Sequence, residues 1–314
     1  MAHYEGIPAV IYGTAFKFDK SADLVLSALK AGFRGIDTAG SLHAYREKLV
    51  GDAISTAIAD GIVQRHELWI QTKFSPFKEG RDPAVYPYDL SANTAVRVDQ
   101  SIQSSMKNLR TTYLDSLILH SLCPTIEETL ATWKAMETYV PSKVGILGIS
   151  NVDLATLSTL YEAAIVKPAI VQNLFTENMA ASPNPNFPAD LPYPVDKYDK
   201  EVRQFCAAHG ITYTPWGLLW GNPTFMEKLD VFEKLASNVG ITKQVACFGC
   251  MRSLAGPRIS ILCGTKQISR MNETLTGMAL IDEYLAGSGE ARNNWNDSVA
   301  TIQQIVDGHH ATLP

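Results

Sequence analysis

Eight short apolar runs, AVIYGT, FRGID, LWIQTK, DSLILH, VGILGIS, AIVQN, ITYTPW and ISILCG, recur along the chain with helical stretches between them. Each run has the length of a buried strand rather than of a helix. Apolar residues at three- and four-residue spacing mark helices at about residues 20–31, 46–60, 92–109, 126–139, 153–163, 197–208, 242–254 and 267–284. In the third of these, Val98, Ile102, Met106 and Leu109 form one stripe. Strand and helix in alternation imply parallel strands joined by right-handed crossovers. The chain is therefore expected to be α/β with a parallel sheet, and periodicity alone does not say whether that sheet closes.

The ends of three successive runs carry the chemistry. Asp37 follows GFRGI, Lys73 ends LWIQTK and His120 follows LDSLIL. In a parallel barrel every strand finishes on the same face, so residues far apart in sequence converge there.

From about Ile7 to about Glu273 this pattern resembles the aldo-keto reductase family. The resemblance implies a (β/α)8 TIM barrel that reduces carbonyls with a nicotinamide cofactor, using Asp, Tyr, Lys and His. Asp37, Lys73 and His120 lie in matching motifs. The family's Tyr usually comes five residues after the Asp, with a Glu and then Val-Gly behind it. That position here is Leu42, in the longer segment GSLHAYREKLVG, where Tyr45 stands shortly before Glu47 and Val50-Gly51. Tyr45 is the expected proton donor with a shifted spacing. His43, in the same segment, either faces the pocket or covers the loop.

Reducing a carbonyl requires hydride at carbon and a proton at oxygen. A free Tyr, with a pKa near ~10, is a poor donor at neutral pH. A lysine ammonium beside it favours the phenolate, and a carboxylate fixes that ammonium and keeps it charged. Tyr45 would then donate, Lys73 tune it, Asp37 hold Lys73, and His120 hydrogen-bond the carbonyl oxygen. Taken singly, each residue has a plainer structural role open to it. Asp37 would cap the next helix, Lys73 sit as an exposed strand-end cation, Tyr45 pack at a helix start, and His120 rest in the core.

No GxGxxG follows any of the runs, so a Rossmann dinucleotide site has no support. The resemblance implies a cofactor on the barrel face instead. Its matching motifs give Ser150 and Asn151 in GISN and Gln172 in VQN as the nicotinamide carboxamide ligands, and Tyr213 in TYTPWG as the ring that stacks on the nicotinamide. Gly13 and Thr14, ending the first run, and Asp37 complete that half of the cofactor set. For the adenosine end the family has a Lys-Ser pair, an Arg, a Glu and an Asn. This chain has Gly264 and Thr265, keeps Arg270 and Glu273, and has Thr274 for the Asn. One expected cation is missing, with Lys266 as a partial replacement, so NADP(H) is the expected cofactor and NAD(H) the alternative.

The expected function is thus NAD(P)H-dependent reduction of an aldehyde or ketone, or the reverse. Two alternatives are a non-catalytic cofactor-binding regulatory subunit of the same fold, kept open by the spacing of Tyr45, and a Schiff-base lyase using Lys73 as nucleophile. The 314 residues read as one domain, with long connections after the third and sixth runs and an extension at the end. Both connections, SPFKEGRDPAVYPYDLSANT and NLFTENMAASPNPNFPADLPYPVDKYDK, are expected on the strand-exit face, as is GLLWGNPTF with its aromatic residues. A short connection after His120 points to a relatively open pocket.

Lys plus Arg 27 against Asp plus Glu 32 gives a charge of −5, which argues against nucleic acid and anionic membranes as partners. The expected partner is a small carbonyl substrate. MAHYEGIP has no basic region leading into an apolar core, and no run approaches a bilayer span, so the expected compartment is the cytoplasm. No metal site is expected. Cys247 and Cys250 fall in a helix as buried thiols, and His309-His310 is a terminal pair of the kind that seldom chelates specifically.

Overall fold

The computed structural model describes residues 6–177 and 197–308. Eight strands form one parallel sheet: β1 Val10–Gly13, β2 Gly35–Asp37, β3 Trp69–Phe74, β4 Leu114–Leu119, β5 Val144–Ser150, β6 Ile170–Gln172, β7 Thr212–Tyr213 and β8 Ile261–Cys263. Their order is β7-β6-β5-β4-β3-β2-β1-β8. A parallel bridge between Tyr213 and Ile259 joins the two ends, through Tyr213 N–H to Arg258 O at 2.8 Å and Ser260 N–H to Tyr213 O at 3.0 Å. The sheet curls into the expected (β/α)8 barrel.

Helices α1 Ser21–Ala31, α2 Glu47–Ala59, α3 Thr94–Leu109, α4 Ile126–Glu137, α5 Leu154–Ala163 and α6 Lys200–His209 follow strands β1 to β6. After β7 come α7 Pro223–Lys228, α8 Asp230–Val239 and α9 Lys243–Arg252, and after β8 come α10 Ile268–Ala286 and α11 Gly289–Val306. Helices α7, α8 and α11 go beyond the sequence expectation. In α11 the apolar face of Trp295, Val299, Ile302 and Val306 is buried, and Trp295 Nε1 donates to Ser253 Oγ at 3.1 Å.

Local chemistry starts the helices. Asn93, Thr125, Asp153 and Thr242 each accept the backbone N–H of the third residue on, which satisfies a donor that a helix start otherwise leaves open. The α3 stripe of Val98, Ile102, Met106 and Leu109 is buried. Where α2 crosses α3, Gly51 lets the backbones touch: a Cβ there would lie 2.0 Å from Asn108 O. This gives the Val50-Gly51 pair a packing reason, and it fixes the segment that carries Tyr45.

Period-two alternation sorts side chains between two apolar layers. Ile7, Ile11, Ile118, Ile146, Ala169 and Ile170 fill the barrel bottom, while a larger shell lies between strands and helices. Cys206, Cys247, Cys250 and Cys263 are buried free thiols, and burial pushes all four upward from the ordinary thiol range. Among the described residues no helix is long and apolar enough to cross a membrane. His309 and His310 lie outside the described residues.

Candidate active site

All strands end around one cavity of about 690 Å3. Strand register delivers the polar groups to its floor. On β3 the alternation sends Gln71, Lys73 and, just past the strand, Ser75 to one face, and on β4 it sends Ser116, Ile118 and His120. The β2 end sets Asp37 beside Gln71. The β5 and β6 ends pair Ser150 with Gln172.

Lys73 is 1% exposed, so it is no solvated strand-end cation. Its Nζ donates to both Asp37 oxygens at 2.6 Å and to Thr38 O at 2.8 Å. Burial pushes this ammonium below its usual range, and the Asp37 and Glu47 carboxylates oppose that shift. Asp37 Oδ1 also accepts from Gln71 Nε2 at 2.8 Å and Gln172 Nε2 at 3.3 Å, so the carboxylate is spent inside the barrel rather than on a helix cap. Behind them Glu47 is buried and accepts from Thr72 Oγ1 at 2.5 Å and Ser105 Oγ at 3.0 Å. Burial raises its carboxyl, and those hydroxyls oppose the rise.

Tyr45 lines the cavity from the turn before α2, with Lys73 Nζ 5.2 Å from its ring centre. Its ring meets that of His120 edge-on, centres 5.8 Å apart. The segment of shifted spacing runs through a loop whose Leu42 is 49% exposed, and the Tyr45 ring stands at the cavity wall. His120 is held by Ser75 Oγ at 2.7 Å from Nδ1, and its carbonyl accepts from Asn151 Nδ2 at 2.9 Å. Burial, then the charges of Lys73, Lys78, Arg81 and His43, hold its imidazole well below the ordinary His range. The ring is neutral at pH 7.

On the neighbouring wall, Ser150, Asn151 and Gln172 line the cavity as expected. Asn151 adopts a left-handed φ of 58° and ties Ser150 Oγ, at 3.0 Å, and Trp216 Nε1, at 3.1 Å, to one amide. Gln172 is 2% exposed and stands at the cavity wall, its Nε2 turned to Asp37 Oδ1 at 3.3 Å. Gly13, Asp37, Thr265, Arg270 and Glu273 line it too, with Gly264, Lys266 and Thr274. Arg270, Glu273 and Lys266 are exposed.

Two of the expected residues stand off the cavity wall. Tyr213 is fully buried, does not line the cavity, and donates to Asp199 Oδ2 at 3.0 Å. On the short β7, Thr212 and Thr214 take the inward positions, so the ring between them turns to the helices; Trp216 lines the cavity instead. Thr14 is likewise fully buried off the cavity wall, its hydroxyl donating to Asp37 O at 2.9 Å. It pins the β1 end to the β2 end.

Other wall residues escaped the sequence reading. Ser75, Lys78, Arg81 and Tyr86 come from the long connection after β3, whereas Trp216 and Trp220, after β7, line the cavity on the face where their segment was expected. Gln71 and Ser75 carried a signal, since each is two residues from Lys73 and so shares its face. The connection after β6 is partly outside the described residues.

Comparison with known proteins gives the family and the fold. The model of the aldo/keto reductase family matches residues 9–234. An aldo-keto reductase of Bombyx mori is 30% identical over 183 residues, 53% of this chain and 54% of the relative. The 7-acetyl-epi-neemfruitin B aldo-keto reductase of Melia azedarach is 26% identical over 322 residues, covering 91% of this chain and 88% of its own. An NAD(P)H-dependent D-xylose reductase of Pachysolen tannophilus is 28% identical over 191 residues, 53% and 55% of the two chains. The first and third matches thus span about half the length of those relatives. Among solved structures, a silkworm aldo-keto reductase superposes with a TM-score of 0.69 at 20% identity over 98% of this chain and 87% of its own, and it has also been solved with NADPH. At that identity the likeness speaks for the fold.

Proposed function

The chain belongs to the aldo/keto reductase family, and from that premise we propose that it is a nicotinamide-dependent oxidoreductase that reduces an aldehyde or ketone to an alcohol, or runs the reverse. The observation that carries the reading is the buried Asp37–Lys73 pair beside the Tyr45 ring and the His120 imidazole at one cavity.

NADP(H) is the proposed cofactor, and when bound it supplies the hydride. Its nicotinamide amide would meet Ser150, Asn151 and Gln172. Trp216 offers a flat apolar face for the ring. Arg270, with Lys266 and Thr265, would hold the adenosine phosphates. Known relatives named NADPH- and NAD(P)H-dependent support this choice. NAD(H) stays the second cofactor to test because Gly264 stands where the family has a lysine.

The proton is the protein's own work. Tyr45 releases it to the carbonyl oxygen, and the Lys73 ammonium stabilises the phenolate left behind. Asp37 keeps that ammonium in place and charged. His120, neutral, orients the carbonyl oxygen. If Ser75 donates to Nδ1, the ring carries its proton on Nε2, the form that can give a hydrogen bond to that oxygen.

The test is to follow NADPH and NADH oxidation with a panel of aldehydes and ketones, for the unmodified chain and for Tyr45→Phe. Turnover by the first that drops about 10²- to 10⁴-fold in the second supports the assignment. Cofactor binding with no turnover on the whole panel would leave a binding subunit instead.

A further inference from the structure

Within the cavity wall, charge is distributed unevenly. The described residues that line it include two carboxylates, Asp37, locked to Lys73, and Glu273, beside Arg270 at the β8 side. Lys266 and Arg270 serve that side. Beyond β1 and β2, three further basic residues, His43, Lys78 and Arg81, line the wall next to Tyr45 and His120, with no carboxylate among the lining residues there. This concentration runs against a chain whose net charge is −5.

The cluster is built rather than incidental. It joins two segments, the one carrying Tyr45 and the connection after β3; one backbone hydrogen bond links them and two further bonds brace the connection itself. Leu42 N–H donates to Val85 O at 2.8 Å, Lys78 N–H to the Tyr86 hydroxyl at 3.0 Å, and Arg81 N–H to Lys78 O at 3.2 Å. Lys78 and Arg81 are both half-buried. Arg81 forms none of the ion pairs found among the described residues. The electrostatic consequence is mutual: Arg81 pushes the His43 and Lys78 protons toward release, in each case second to burial. A neighbouring anion would relieve that repulsion, and an Arg fork is suited to bind one through paired hydrogen bonds.

We propose that His43, Lys78 and Arg81 form an anion-binding subsite beside the reacting carbonyl, so that the preferred substrate is an aldehyde or ketone whose carbon chain also bears a carboxylate or phosphate. This rests on the carbonyl-reductase reading of the same cavity. Arg81 supplies the fork, and His43 and Lys78 add charge and donors. The aromatic wall of Tyr86, Trp216 and Trp220 contacts the carbon chain between the two ends.

The test compares kcat/KM for ω-oxo carboxylates of four to six carbons with that for their methyl esters, using NADPH, in the unmodified chain and in Arg81→Ala. A second pair, glyceraldehyde 3-phosphate and glyceraldehyde, separates phosphate from carboxylate recognition. The acid or the phosphate is expected to lead its neutral partner by at least about tenfold, through KM, because charge-assisted hydrogen bonds contribute on that scale. In Arg81→Ala that ratio is expected to fall toward one. Neutral aldehydes turned over as well as both anionic sets would overturn the subsite and leave the reductase reading standing. If no aldehyde at all is reduced, the reductase reading falls, and calorimetry with 4-hydroxybutanoate decides the subsite. Binding that Arg81→Ala abolishes upholds it, and heat-silent titration of the unmodified chain overturns it.

Discussion

The two ends of the cavity are made differently. At the β2–β3–β4 side, Asp37, Lys73, Gln71 and Gln172 are buried and bonded to one another, and Ser75 fixes His120. Following β8, Arg270, Glu273 and Lys266 stand exposed, and the backbone rather than the side chains is secured: the Tyr12 hydroxyl donates to Thr265 O at 2.8 Å and Lys17 Nζ to Gly264 O at 3.1 Å. The first end is set before any ligand arrives. The second is a platform whose side chains stand in solvent, an arrangement suited to the proposed cofactor phosphates. Proton transfer demands the first arrangement, since a donor misplaced by an ångström loses much of its effect. Holding a phosphate tolerates the second.

Substitutions should therefore separate the two ends. Lys73→Met removes the partner of a buried carboxylate and is expected to cost about 3–5 kcal/mol of stability, together with most turnover. Denaturant unfolding and NADPH consumption check both, and near-normal stability would contradict the interlocked picture. Next in size is Gly51→Ala, whose Cβ would overlap Asn108 O and force α2 from α3. A loss of about 1–3 kcal/mol is expected in the same unfolding experiment, with turnover falling because the Tyr45 turn moves with α2.

Arg270→Ala, at the exposed end, is expected to change stability by less than about 0.5 kcal/mol while raising KM for NADPH about tenfold, more than it lowers kcat. A large fall in melting temperature would show that this end is as interlocked as the other.

A further effect is a pH slope. Because His120 in the folded chain takes its proton well below the ordinary 6.5, the unfolded chain protonates first as pH falls. Its contribution is complete above about pH 6.5 and is lost as pH drops below that, by at most about 1.4 kcal/mol per pH unit. His120→Asn should flatten this part of the stability curve measured from pH 7 downward, and an unchanged slope would assign the downturn to other groups.

The same contrast explains what could be read from the sequence. Strand-end residues were legible because register and period leave them one face: Asp37, Lys73 and His120 followed from their runs, and Gln71 and Ser75 lie on Lys73's face. Tyr45 was legible as a residue but not as a position, since only the exposed bulge around Leu42 shows where the extra residues go. Tyr213 was misassigned because a two-residue strand gives too little pattern to fix its phase. Its pairing with β6 settles it in three dimensions: Thr212 pairs with Ile170 of the inner cluster, and Tyr213 with Val171 of the outer shell. The cationic wall of Lys78 and Arg81 was invisible, because a long connection has no period that aims a side chain. Helix α11 was missed for another reason: its apolar stripe acquires meaning only from the surface of α8, α9 and α10 that it covers.

Everything proposed for catalysis converges on the Tyr45 phenol. The most direct measurement is single-turnover reduction of a neutral aldehyde by NADPH-loaded protein at pH 7, with Tyr45→Phe and His43→Ala in parallel. A rate lowered about 10²- to 10⁴-fold in Tyr45→Phe, with NADPH binding retained and His43→Ala far less affected, is the expected result. A Tyr45→Phe rate close to that of the unmodified protein, or a collapse confined to His43→Ala, would contradict it.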